Sequence, residues 1–67
     1  MIKELDVVVL ARDLNDYQLK RGDVGTVVHV HESGKAYEVE FLTDEGKTVA
    51  VVTLSVHDLY PSRDFIV

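Results

Sequence analysis

His29 and His31 stand two residues apart in a valine-rich stretch. On an extended strand both imidazoles would point to one face, as two metal ligands on a strand must. A third ligand is then needed. Glu38 comes opposite His29 if the intervening chain folds into a hairpin, but a carboxylate beside an exposed histidine reads more simply as a cross-strand ion pair. No metal is assigned. Ser55 or Ser62 with His57 and Asp58 supplies the residue types of a nucleophilic triad. Such a site also needs an elbow, an oxyanion hole and a buried orienting acid, which 67 residues have little room to hold. The chain is therefore read as non-enzymatic, with no catalytic residue and no cofactor. Arg21-Gly22-Asp23 matches a cell-adhesion tripeptide, and turn chemistry accounts for it. Asp13, Asp16, Asp23, Glu32, Asp44 and Glu45 lack the alternating spacing of a calcium loop and read as solvated turn carboxylates. Of the five aromatic residues, Tyr37 and Phe41 are assigned to the core below. Tyr17, Tyr60 and Phe65 remain, too few to assign a groove for proline-rich peptides.

The elements that would position these groups must fit one small domain spanning residues 1–67. The composition, 46% hydrophobic and 28% charged, suits a folded chain rather than a disordered one. Cysteine is absent, which excludes disulfide staples, thiolate zinc sites and thiol catalysis. Seven basic against twelve acidic residues give a net charge of -5, the wrong sign for a phosphate-backbone binder, so no nucleic-acid partner is expected. The longest apolar run, residues 7–11, falls far short of the roughly 20 residues a membrane span requires. The N-terminus interleaves charge with apolar residues and resembles no signal peptide, so a cytoplasmic protein with no membrane association is expected.

Residues 5–10, 24–30, 36–42 and 48–54 are short, valine-rich and bounded by turn formers, which predicts four strands. A long surface loop separates the first two, and a single helical turn is expected near residues 55–60. If Ser33-Gly34 forms a tight turn, Thr26, Val28 and Val30 oppose Phe41, Val39 and Tyr37 on a core face. Val27, His29 and His31 then oppose Glu40, Glu38 and Ala36 on the other. A turn over residues 43–47 with a left-handed Gly46 would bring Val49, Val51 and Thr53 into the core, whereas a one-residue slip would bury Ala50, Val52 and Leu54. The sequence barely separates these two registers. With a final apolar segment at residues 65–67, the elements predict an all-β fold, a small SH3-like barrel of about five antiparallel strands. An OB-fold usually has a longer chain and a helix between its third and fourth strands.

Three motifs in order, residues 19–28 (Leu19 to Val28, with Gly22-Asp23-Val24-Gly25), 36–41 and 49–54, resemble a family of short bacterial proteins catalogued as domain of unknown function 4926. The likeness runs over residues 5–61, nearly the whole chain. It implies an SH3-like barrel in a bacterial protein and carries over no catalytic or binding residue. A broader likeness joins Gly22-Asp23-Val24-Gly25-Thr26-Val27 to KOW modules of ribosomal and transcription proteins. That likeness makes an RNA- or ribonucleoprotein-binding domain the alternative function. The two glycines have a structural explanation without RNA, in positive φ at Gly22 and close backbone approach at Gly25.

Apolar residues at successive strand positions carry the functional expectation. Val7, Val8, Val9 and Leu10 cannot all face one core, nor can Val27 with Val28, Phe41 with Leu42, or Val51 with Val52. A sheet this small cannot bury both faces, so a protein-interaction module is expected, self-associating or bound to another protein. Val8, Leu10, Val27, Val52, Leu54, Phe65, Ile66 and Val67 are the candidate interface.

Overall fold

The computed structural model describes residues 2–43 and 45–62. Strands β1 (Val7–Leu10), β2 (Val24–His31), β3 (Ala36–Leu42), β4 (Thr48–Leu54) and β5 (Leu59–Pro61) form one antiparallel sheet. Their order is β4-β3-β2-β1-β5. The all-β expectation holds and is consistent with an SH3-like barrel, because strands from both edges bring Leu54 and Leu59 into the same core. The expected helical turn is a 3₁₀ turn, Val56–Asp58. A second one, Asn15–Tyr17, sits in the first long loop. β1 begins at Val7 rather than at residue 5, because Leu5 turns the chain with φ 71° and the Asp6 N–H bonds back to the Lys3 carbonyl at 3.0 Å.

Each long hairpin carries one extra residue, and these two bulges decide which side chains are inside. The turn between β2 and β3 spans residues 32–35, with Glu32, Ser33 and Gly34 all at positive φ. The expected pairings survive beside it: His31 with Ala36, Val30 with Tyr37, His29 with Glu38. The register then shifts, leaving Val28 unpaired and setting Val27 opposite Val39. Val28 is therefore exposed and Val27 fully buried, the reverse of the expected core face. In the next hairpin the turn forms as expected, with Gly46 at φ 83° and the Thr43 N–H donating to the Lys47 carbonyl at 2.8 Å. Leu42 pairs with Thr48, but a bulge at Val49 then pairs Phe41 with Ala50 and Val39 with Val52. Val52 and Leu54 are buried and Val49, Val51 and Thr53 exposed, so the slipped register is the one adopted. A bulge bends its strand and increases its local twist, which lets a small sheet curve around a core.

That core joins Val8, Leu10, Val27, Tyr37, Val39, Phe41, Val52, Leu54 and Leu59 with Ile2, Leu14 and Leu19 from the flanking segments. Five of the eight residues expected at an interface, Val8, Leu10, Val27, Val52 and Leu54, are thus core residues of a single chain and unavailable to a partner. Alternation fixes this, since β1 turns Val8 and Leu10 inward and the bulges do the same for Val27, Val52 and Leu54. Phe65, Ile66 and Val67 lie outside the described residues.

The long loop is fastened at both ends. Leu14 and Leu19 form an isolated bridge and are buried. Arg21-Gly22-Asp23 is a turn in which Gly22 takes φ 96°, the Lys20 N–H donates to Asp23 Oδ2 at 2.9 Å, and the Leu10 N–H donates to the Asp23 carbonyl at 2.8 Å. At the far side Asp58 caps its own 3₁₀ turn, accepting from the Ser55 N–H at 3.0 Å and hydroxyl at 3.2 Å, and accepts from Arg12 Nε at 2.7 Å. Burial pushes its carboxyl up, but the bonds from Arg12 and Ser55 together hold it below the ordinary aspartate range. A carboxyl so depressed contributes stability above its unfolded pKa of about 4, and that contribution is lost as the pH falls through the folded value. Asp58→Asn is expected to cost about 1 kcal/mol at pH 7, at the low end because Arg12 is largely exposed. The variant should also lose less stability than the wild type between pH 5 and 3, approximately, in urea titrations.

Candidate interaction surface

The sheet has a second face. Register places Val7, Thr26, Glu40 and Val51 in one row across four strands, and Tyr60, Val9 and Val24 in the next. Leu42 shares this face by alternation from Glu40. Val9 is shielded between its neighbours at 3% exposure, but Val7, Val24, Leu42, Val51 and Tyr60 are 39–56% exposed. The expectation that several Val and Leu side chains face outward is met, by a different set of residues. The glycine could have revealed the parity. A Cβ on Gly25 would meet Val39 Cγ1 at 2.7 Å and the Glu40 carbonyl at 2.9 Å, so position 25 lies on the packed side, and two residues on Val27 does too.

One end of this face is polar. His31 Nε2 lies 2.7 Å from Glu38 Oε2, and the Thr53 hydroxyl donates to the same oxygen at 2.7 Å. Glu38 is held below the ordinary glutamate range, first by the Thr53 hydroxyl and then by His31. His29, though opposite Glu38 in register, turns to Glu4 at 3.8 Å and meets His31 edge-on with ring centroids 4.5 Å apart. The histidines share a face as expected, and the contact to Glu38 falls on His31 rather than His29. Among the described residues no group of three His, Asp or Glu side chains could hold a metal ion. The Ser55, His57 and Asp58 set forms no triad: the Ser55 hydroxyl accepts from the His57 backbone N–H at 3.2 Å, and Asp58 serves the cap and Arg12.

Two open clefts of about 420 Å³ each border the sheet. One runs between loop residues Arg12 to Tyr17 and β4 at Val52, Thr53 and Leu54. The other gathers Gln18, Leu19, Asp23, Val24, Phe41, Leu42 and Val49. Tyr17 lines the first cleft, Tyr60 lines neither of these two, and Phe65 lies outside the described residues. Lys20, Arg21 and Lys47 lie in turns at one end of the sheet and Lys35 in the turn at the other. Asp13 accepts from the Arg21 N–H at 2.9 Å.

No helix among the described residues is long and apolar enough to cross a membrane. The family model described as Domain of unknown function (DUF4926) matches residues 4–61. No curated protein and no solved structure matches the chain.

Proposed function

The chain belongs to the DUF4926 family, and from that premise we propose that it is a non-enzymatic interaction module that binds protein and self-associates. The observation that carries this reading is the outward sheet face, where Val7, Val24 and Tyr60 remain exposed around the shielded Val9 and Leu42 and Val51 extend the exposed apolar surface onto β3 and β4. Solvated sheet faces alternate with polar residues, and an apolar face of this kind gains free energy by being covered. An RNA partner is opposed by the net charge of -5 and by the carboxylates of Asp13, Asp23 and Glu45 at the same end as Lys20, Arg21 and Lys47. Multi-angle light scattering at about 100 μM is expected to give a mass at least twice 7.5 kDa. A 7.5 kDa monomer at that concentration would refute self-association.

A further inference from the structure

The two edges of the sheet differ. β5 is three residues long and ends in Pro61, two features that blunt an edge against further pairing. β4 is seven residues long, Thr48-Val49-Ala50-Val51-Val52-Thr53-Leu54, with no charged residue and no proline. Its single sheet neighbour among the described residues is β3, and beside Val52 to Leu54 it borders the open cleft walled by the loop from Arg12 to Tyr17, so no strand among the described residues receives the backbone N–H and C=O groups of its other edge.

We propose that two copies of this chain join edge to edge through β4, antiparallel about a two-fold axis at Val51, so that the two five-stranded sheets become one. The proposal rests on the self-association reading and assigns that contact to the β4 edge, which covers Val51 and leaves Val7, Val24, Leu42 and Tyr60 to the protein partner. A second copy is the occupant for three reasons. The strand is self-complementary over its middle: Val51 meets its own copy, Ala50 meets Val52, and Val49, the bulged residue, meets Thr53, so small and β-branched residues oppose one another at these positions. Charge also favours this approach. Two copies of charge -5 repel, and β4 brings no carboxylate of its own to the seam. The nearest carboxylates on β3 are already engaged by hydroxyls of β4, Glu40 by Thr48 at 3.0 Å and Glu38 by Thr53 at 2.7 Å. Third, pairing over residues 49–53 also covers Val49 and Val51, apolar side chains about half exposed in the single chain.

Single substitutions separate this geometry from self-association in general. Val51 is half exposed, so Val51→Lys leaves the core intact and sets two ammonium groups against each other at the axis. Val7→Lys makes the same charge change on the same face, but on β1 at the far side of β2 and β3. In sedimentation equilibrium, V51K is expected to weaken dimerisation more than tenfold and V7K less than threefold, approximately. Val51→Cys gives a chain with one thiol, since the sequence has no cysteine. Residues facing each other in either kind of antiparallel pair, about 4.5 or 5.5 Å between Cα atoms, lie within disulfide reach. Incubation with oxidised glutathione, which is reduced as the two thiols join, should therefore yield a covalent dimer for V51C and much less for Val7→Cys. A wild-type dimer that V51K leaves intact, or that V51C does not cross-link, overturns the β4 geometry while self-association stands. A wild-type monomer at about 100 μM overturns both.

Discussion

Phe41→Ala is expected to leave the chain without a cooperative thermal transition. Phe41 is 1% exposed and, with Leu10, Val8, Val27 and Val39, is among the largest side chains completely enclosed. It sits on β3, the strand between β2 and β4, so its ring is packed by both long hairpins at once. Truncating a buried phenylalanine costs about 3–5 kcal/mol, through lost transfer free energy and the cavity left behind. A domain of 67 residues with no cysteine for a disulfide sits near the low end of the usual range of about 5–15 kcal/mol, so the loss removes most of what holds it folded. Phe41→Leu, which keeps most of the volume, is expected to retain a transition at lower Tm. Calorimetry decides, and an alanine variant melting within a few degrees of wild type would show that the ring is not central to the core.

Gly25→Ala is expected to destabilise the domain by about 2–3 kcal/mol, the upper part of the range for overpacking. Gly25 has no positive φ; its constraint is space. The added methyl would lie 2.7 Å from Val39 Cγ1, 2.8 Å from Phe41 Cε1 and 2.9 Å from the Glu40 carbonyl oxygen. Val39 and Phe41 are fully buried and the carbonyl belongs to the β3 backbone, so none of the three can retreat without moving a strand. Gly22 makes the contrast, with nothing within 4 Å and φ 96°. Alanine there meets only the backbone penalty of about 1–2 kcal/mol for the left-handed region. Urea unfolding should rank Gly25→Ala below Gly22→Ala, and a wild-type midpoint for Gly25→Ala would mean that β2 and β3 stand farther apart than this geometry gives.

Self-association through β4 would make the stability of the domain depend on concentration, because a partner that binds only the folded chain shifts the unfolding equilibrium. The same strand is the exposed edge with the strongest β-forming character. Its pairing with a second copy would therefore also shield a segment prone to less specific association.

The all-β architecture, the turns and most strand boundaries were legible in the sequence because each depends on local chemistry. Valine-rich runs are extended for steric reasons within a few residues. Gly22 and Gly46 mark left-handed turn positions that other residues enter only at a cost. Tyr37, Val39 and Phe41 could be placed in the core because β3 alternates them with Glu38 and Glu40, which cannot be buried together. On the neighbouring strands the signal was weaker: Gly25 alone marked the packed side of β2, and β4 carried no such mark. Val27 and Val28 are the same residue, as are Val51 and Val52, so exchanging which of each pair faces inward leaves composition, propensity and hydropathy unchanged. Tertiary structure chose between them with one bulge at Val28 and one at Val49. The interface expectation inherited that ambiguity, recognising that apolar side chains must face outward but assigning the role to Val8, Leu10, Val27, Val52 and Leu54, which the sheet encloses. Local sterics and turn chemistry thus determined where this chain extends and reverses. The parity of each strand was decided only when five strands closed on a shared core, because the energy that selects a bulge comes from packing between strands distant in sequence.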